Sequence, residues 1–233
     1  MEIWRHNSTS IHEPIRRGVA TVPDTHREPA AAIPDTFAGL PQEVQRLGRL
    51  NLGCGHFPKE GFLNVDYSSV YPADFLCDLD ILPWPFPTER YDEVEMDHVL
   101  EHLTDVAGIL GEVERILRPG GRVTIRVPHF SRGFTHWDHK HGFDFSFMIY
   151  FDPKTSGGFE DSRLIPEETR LVWFAQPHLK RQHLGPFSYL VGSILGTVFD
   201  FLGNLNLFLT SRVLCYWVGG YDEIRFTLRK PAA

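Results

Sequence analysis

The chain is short of cysteine, of net positive charge and of long unbroken apolar runs, and each shortage excludes something. Its three cysteines, Cys54, Cys77 and Cys215, stand far apart with no C-x-x-C pair. A disulfide framework and a cysteine zinc knuckle are therefore both excluded, and the three read as reduced thiols of an intracellular protein. With 23 Lys and Arg against 30 Asp and Glu, the net charge is −7. That balance argues against counterion-release binding, so no nucleic-acid partner is expected. The opening MEIWRHNSTS lacks the basic, apolar and small-residue progression of a secretory signal, and a cytoplasmic location is the expectation. The longest apolar stretch is interrupted by Asp200 after about fifteen residues, short of the ~20 that span a bilayer.

What is present is enough for one sizeable core: 233 residues, 42% of them hydrophobic. From Met1 to about Gln45 the sequence is polar, carries Pro14, Pro23, Pro29, Pro34 and Pro41, and lacks sustained periodicity. It reads as a flexible N-terminal arm (1–45) ahead of one domain (46–233). RLGRLNLGCG, GFLNVDY, ADFLCDL, YDEVEMDHV and GRVTIRVPHF are strand-like runs. Between the last two, Val106, Ile109, Leu110, Val113, Ile116 and Leu117 recur at helical spacing until Pro119 and Gly120-Gly121 stop the helix. Apolar strands alternating with a helix predict a mostly parallel sheet in an α/β domain.

The first strand breaks into Gly53-Cys54-Gly55, and the second ends in Asp66. Glycines that let a backbone approach a ligand, followed by a carboxylate that accepts from ribose hydroxyls, describe a nucleotide cradle. A dinucleotide fingerprint is a poor match: Pro58 stands at the third-glycine position and Asp66 follows Gly55 by only eleven residues. So short a connection leaves room for a helical turn or two at most.

LNLGCG, then NVD, Asp78-Leu79, DHVLEHL and LRPGG follow one another in order from Leu50 to Gly121. This ordered series resembles the class I S-adenosylmethionine-dependent methyltransferases, in particular the small bacterial type. The resemblance implies a Rossmann-like fold: a mostly parallel central sheet, helices on both faces and an apolar helical cap at about 185–213. It implies S-adenosylmethionine as cofactor, with Gly53, Cys54 and Gly55 at its methionine end, Asp66 on the ribose and Asp78 with Leu79 on the adenine. Asn51 and Tyr67 flank these positions, and Met96 to His98 lie beside the sulfonium. A methyl group would pass to a hydroxyl or amine of a small-molecule acceptor, such as a natural product or sugar precursor. A catalytically inactive cofactor-binding partner subunit is the alternative.

HVLEH also spells the H-x-x-E-H pattern of a helical zinc site, with His98 and His102 on one helix face. No third ligand follows from a nearby helix, so no metal is expected there. After the fifth strand comes VPHFSRGFTHWDHKHGF, where His129, His136, Asp138, His139 and His141 are candidates to take the acceptor's proton. His141 and His129 are the expected bases, with Asp138 behind them. His136, His139 and His141 form the other grouping from which a metal site could be built.

ETRLVWFA and YDEIRFTLRK complete the sheet, the last with Ile224, Phe226 and Leu228 alternating. Between them lies an unusually apolar connection in which Ser188, Gly192 and Gly196 form a small-residue stripe. It is expected to be a substrate cap or a homodimer face, with a peripheral membrane contact through 187–210 as the other reading.

Overall fold

The computed structural model describes residues 36–133 and 136–232. Seven strands form one sheet: β1 (Arg49–Leu52), β2 (Leu63–Asp66), β3 (Phe75–Leu76), β4 (Tyr91–Asp97), β5 (Leu117–Pro128), β6 (Ile165–Val172) and β7 (Glu223–Arg229). Their order is β3-β2-β1-β4-β5-β7-β6. β1 to β5 pair in parallel, and β7 runs antiparallel to both β5 and β6. The expected Rossmann-like α/β sheet is borne out.

The register explains why these segments are strands. Leu63, Leu50, Val94, Val123 and Leu228 stand side by side in one row, and Val65, Leu52, Met96, Ile125 and Phe226 in the next. All ten are sealed from solvent. The helix α2 (Val106–Ile116) adds Ile109, Leu110, Val113 and Ile116 to the same core. Asp105 caps it by accepting a hydrogen bond from the Gly108 amide at 2.9 Å.

On the opposite face the intervening residues are polar. Arg49, Glu93, Arg122 and Arg229 make one row, and Asp97, Arg126 and Arg225 another. Most of these charges find partners: Glu167 accepts from both Arg122 and Arg229 at 2.7 Å. The β1–β2 connection, residues 53–62, carries no helix, where its length left room for a turn or two at most.

Two boundaries differ from expectation. Phe37–Gly39 forms a short turn, and Gln42–Gln45 a single helical turn, α1. Leu40 is buried, and Phe37 and Val44 pack against the core. The last ten residues of the expected arm therefore belong to the domain: their apolar side chains recur three to four apart, a spacing masked by the surrounding prolines. The rest of the arm, residues 1–35, lies outside the described residues. The α2 helix ends at Ile116, ahead of Pro119, and Gly120 at φ +82° makes the turn that follows.

A short helix, α3 (Phe130–Gly133), leaves β5, and α4 (Pro177–His183) and α5 (Pro186–Leu205) connect β6 to β7. Proline stands at the first position of both α4 and α5, where a missing amide hydrogen is harmless. α5 runs along the outer edge of β6: the Asn204 side chain accepts from Leu171 N and donates to Leu171 O, each at 2.8 Å. Asp200 accepts from Trp173 N at 2.6 Å.

Candidate functional site

Open α/β sheets bind ligands at the carboxyl ends of their strands, where the strand order reverses. Here that place lies between β1 and β4. Gly53 and Gly55 carry the chain out of β1 at φ +65° and +50°, conformations that other residues adopt only under strain. At Gly53 the sheet itself needs glycine, since an added Cβ would come within 2.2 Å of Val99 Cγ2. At Gly55 the space is open. Asp66, almost fully buried at the end of β2, holds this turn: one carboxylate oxygen accepts from Gly55 N at 2.9 Å, the other from Ser68 N at 3.3 Å.

These residues wall a cavity of about 460 Å³, lined further by Tyr67, Cys77, Asp78, Leu79, His98, His102, Asp138 and Lys140. A second cavity, of about 600 Å³, shares Gly53, Gly55 and His98 with it and reaches across to Lys59, Arg126, Phe174, His178 and Glu223. Asn51 and Cys54 line this second chamber. Asn51 donates to Asn64 Oδ1 at 3.0 Å, so it fixes the β1–β2 pair. The Cys54 thiol, pushed up to about 11 by burial and by Asp66, is held neutral. Met96 is a correction to the expected cofactor set. It is fully buried on the apolar face of β4 and lines neither chamber, because the strand pleat turns it away from the polar side.

His98 stands where the chambers meet, and it also lines a third, smaller recess beside His136 and His139. Its backbone is left-handed, φ +55°, as is that of Gln176 (φ +49°) across the second chamber. Such strain persists where surrounding structure enforces it, often at working sites. The ring lies 3.1 Å from Glu223 and 3.5 Å from Glu101, both buried. Burial alone would lower its pKa, but the two carboxylates outweigh it and raise it to about 9. His98 is therefore an imidazolium at neutral pH.

A second charged group lies on the floor of the larger chamber. Lys59 bridges Glu95 and Asp97, and so does Arg126 from the next strand. Burial would raise both carboxylates, yet hydrogen bonds from Lys59 and Arg126 hold them below their ordinary values. The sequence signal for this network was available: acids at Glu93, Glu95 and Asp97 and bases at Arg122 and Arg126 alternate with the apolar core positions. Glu223 gave no such signal.

The expected bases are not brought together. His129 is completely buried, with Nδ1 at 2.7 Å from Ser131 Oγ and Nε2 at 3.3 Å from Ser211 Oγ. It lines none of the three cavities around His98, and burial depresses its pKa to about 4. His141 faces a separate cavity with Val106, Phe143 and Phe147. They fail for different reasons: His129 is roofed by Ser211, and His141 opens to the other side of Glu101, beside Val106 and Phe143, so proximity in sequence to the strand end does not become access to the site. Of the expected three only Asp138 borders the cofactor-sized chamber, paired with His102 at 3.2 Å.

The zinc pattern is also reorganised. Leu100–His102 is a single 3-10 turn, so His98 and His102 share no α-helical face. Instead Glu101, His102 and His139 offer ligand atoms within 4.8 Å of one another. Nδ1 of His139 takes the Gly133 carbonyl at 2.6 Å and Nδ1 of His102 takes Asp138. A tetrahedral zinc site draws neighbouring ligand atoms to about 3.3 Å, and Glu101 already faces the His98 charge. Tag-free protein is therefore expected to carry well under one zinc per chain by elemental analysis. One tightly held ion that is lost in His102→Ala would overturn this expectation.

Residues 64–125 match the methyltransferase domain family. Over that stretch the resemblance read from the motif series is borne out. No curated protein matches the chain. Among solved structures, it is similar to an S-adenosylmethionine-dependent methyltransferase from Mesorhizobium loti, at 17% identity over 83% of this chain and 94% of the other, TM-score 0.46. A methyltransferase from Archaeoglobus fulgidus matches at 13% identity over 83% and 92%, TM-score 0.47. A Haemonchus contortus phosphoethanolamine N-methyltransferase, solved with phosphomonomethylethanolamine and S-adenosylhomocysteine, matches at 17% identity, TM-score 0.45; this chain covers 48% of it and is itself covered over 78%.

Proposed function

We propose that the protein is an S-adenosylmethionine-dependent methyltransferase acting on a hydroxyl or amine of a small molecule. The observation that carries the reading is the pair of chambers meeting at Gly53, Gly55 and His98. A cofactor in one and an acceptor in the other would face each other across a single edge. The residues present fit the cofactor: Gly55 leaves the backbone open to approach, each Asp66 oxygen keeps a lone pair for a ribose hydroxyl, and Asp78 with Leu79 closes the far end.

S-adenosylmethionine supplies an already activated methyl group, so the protein's contribution is placement and exclusion of water. Glu101, His98, Glu223 and Arg225 form one charge-paired cluster at the junction. Because both nitrogens of His98 face carboxylates, it fixes Glu223 rather than accepting a proton. Glu223, on the wall of the second chamber, is the better placed carboxylate to take one from the acceptor. We place the reaction in the cytoplasm, in keeping with three buried free thiols.

Calorimetry tests the cofactor directly. S-adenosylhomocysteine is expected to bind, and Asp66→Ala to weaken it by about 1–3 kcal/mol, the size of a hydrogen bond to a buried carboxylate. Binding of NADH with none of S-adenosylhomocysteine would refute the reading.

A further inference from the structure

The α5 helix is turned inside out relative to an ordinary surface helix. Toward the protein it presents small and polar residues: Gly192 and Gly196 lie against Phe174, Gly203 under the Tyr221 hydroxyl, and Asp200 and Asn204 on the edge of β6. Outward, at the three-and-four spacing of one helix face, it shows Phe187, Leu190, Ile194, Phe201 and Leu205, each more than half exposed. The turns that follow extend the surface with Phe208 and, 81% exposed, Trp217. A soluble helix would have the two faces exchanged.

Three observations select what covers this face. First, charge: from Gln176 to Gly220 the chain contains Lys180, Arg181 and Arg212 but a single acid, Asp200. That acid points inward to Trp173 N. In a chain of net charge −7, this segment brings no exposed acid of its own to the surface, while Arg181 and His183 stand exposed at its border and Arg212, also exposed, pairs with Asp144 at 2.8 Å. Second, hydrogen bonding: the hydroxyls in the body of α5 are already satisfied within the helix, Ser193 donating to Tyr189 O at 2.9 Å and Thr197 to Ser193 O at 3.0 Å. Protein interfaces carry about one hydrogen bond per 100–200 Å², and these two hydroxyls have no donor left to offer; lipid asks for none. Third, attachment: α5 has 20 residues and is long and apolar enough to cross a bilayer, but it is fastened lengthwise to the sheet edge. A helix so held can lie in an interface, not traverse it.

We propose that α5 and the turns after it seat the protein on a bilayer surface containing anionic lipid. The apolar stripe enters the boundary between headgroups and acyl chains, and Arg181, His183 and Arg212 remain at headgroup depth. This surface is independent of the methyl-transfer reading, since none of the outward residues lines the chambers around His98.

The test is flotation of the full chain with unilamellar vesicles of phosphatidylcholine alone and of phosphatidylcholine with about a third phosphatidylglycerol. The protein is expected to float with the mixed vesicles, at least severalfold more than with neutral ones, and to show a blue-shifted tryptophan emission when bound. The double substitution Leu190→Glu and Ile194→Glu is expected to reduce bound protein by about tenfold or more, given the penalty for charge below the headgroups. Both positions are exposed, so the urea midpoint of the variant should match the parent and separate lost binding from lost folding. Failure to float with either vesicle overturns the proposal. So does a dimer in sedimentation that the same double substitution dissociates, because the face would then belong to a second copy. Equal flotation with both vesicle types overturns the anionic-lipid assignment.

Discussion

Gly53→Ala is expected to destabilise the protein by about 2–5 kcal/mol, seen as a large fall in the urea midpoint. Two costs add: a left-handed backbone at φ +65° in a residue with a Cβ, about 1–2 kcal/mol, and the overlap of that Cβ with Val99, which forces a repacking of about 1–3 kcal/mol. Gly55→Ala provides the contrast. Its φ is +50° but nothing lies within 4 Å of the added methyl, so only the backbone cost, about 1–2 kcal/mol, applies. The methyl would instead enter the space assigned to the cofactor. The two alanine variants should therefore separate: the first loses stability, the second mainly loses binding of S-adenosylhomocysteine. Equal urea midpoints would contradict the packing explanation for Gly53.

The second large effect is a pH-dependent stability with two limbs, because the half-buried His98 and the buried His129 are shifted in opposite directions. His98 is raised from 6.5 to about 9. Its contribution, about 3 kcal/mol from 2.5 units at 1.36 each, is fully present below pH 6.5 and is lost as pH rises through 9. His129 is lowered from 6.5 to about 4. Above pH 6.5 it is neutral in both states and neither gains nor loses. As pH falls from 6.5 to 4 the unfolded chain takes up a proton that the native state refuses, and about 3 kcal/mol is lost. Urea unfolding across pH 4 to 9.5 measures both limbs. His98→Asn should flatten the alkaline limb and His129→Leu the acidic one, each leaving the other in place. A parent protein with no decline between pH 6.5 and 9 would show that Glu101 and Glu223 do not hold His98 as an imidazolium.

Much of the fold was legible because the core strands are written with little ambiguity. In EVEM and RVTIRV the apolar positions fall on every second residue, and the register stacks them in successive buried rows of one face. The cofactor turn was legible for a different reason: a left-handed backbone leaves a trace in composition, and Gly53 and Gly55 are that trace. The junction of the two chambers was not. Glu223 reaches His98 across 125 residues, and no local spacing encodes such a contact. His129 misled because its setting depends on Ser211, 82 residues away; a histidine at a strand end looks the same in sequence whether it opens to a pocket or is roofed over. The orientation of α5 was hidden likewise, since apolar residues on a helix announce a face without saying which side the protein is on. Phe37, Leu40 and Val44 were missed where prolines dominate the composition.

β6 is the last strand of the sheet, and its outer side carries backbone groups able to template another chain. Asn204 takes both groups of Leu171 and Asp200 takes Trp173 N, so α5 acts there as a substitute eighth strand made of side chains. Removing this greasy helix to obtain a better-behaved enzyme would therefore trade one adhesive surface for another, exposing a strand edge open to fibrillar self-association. Substitution on its outer face, with the inner face kept, is the engineering route that this arrangement leaves open.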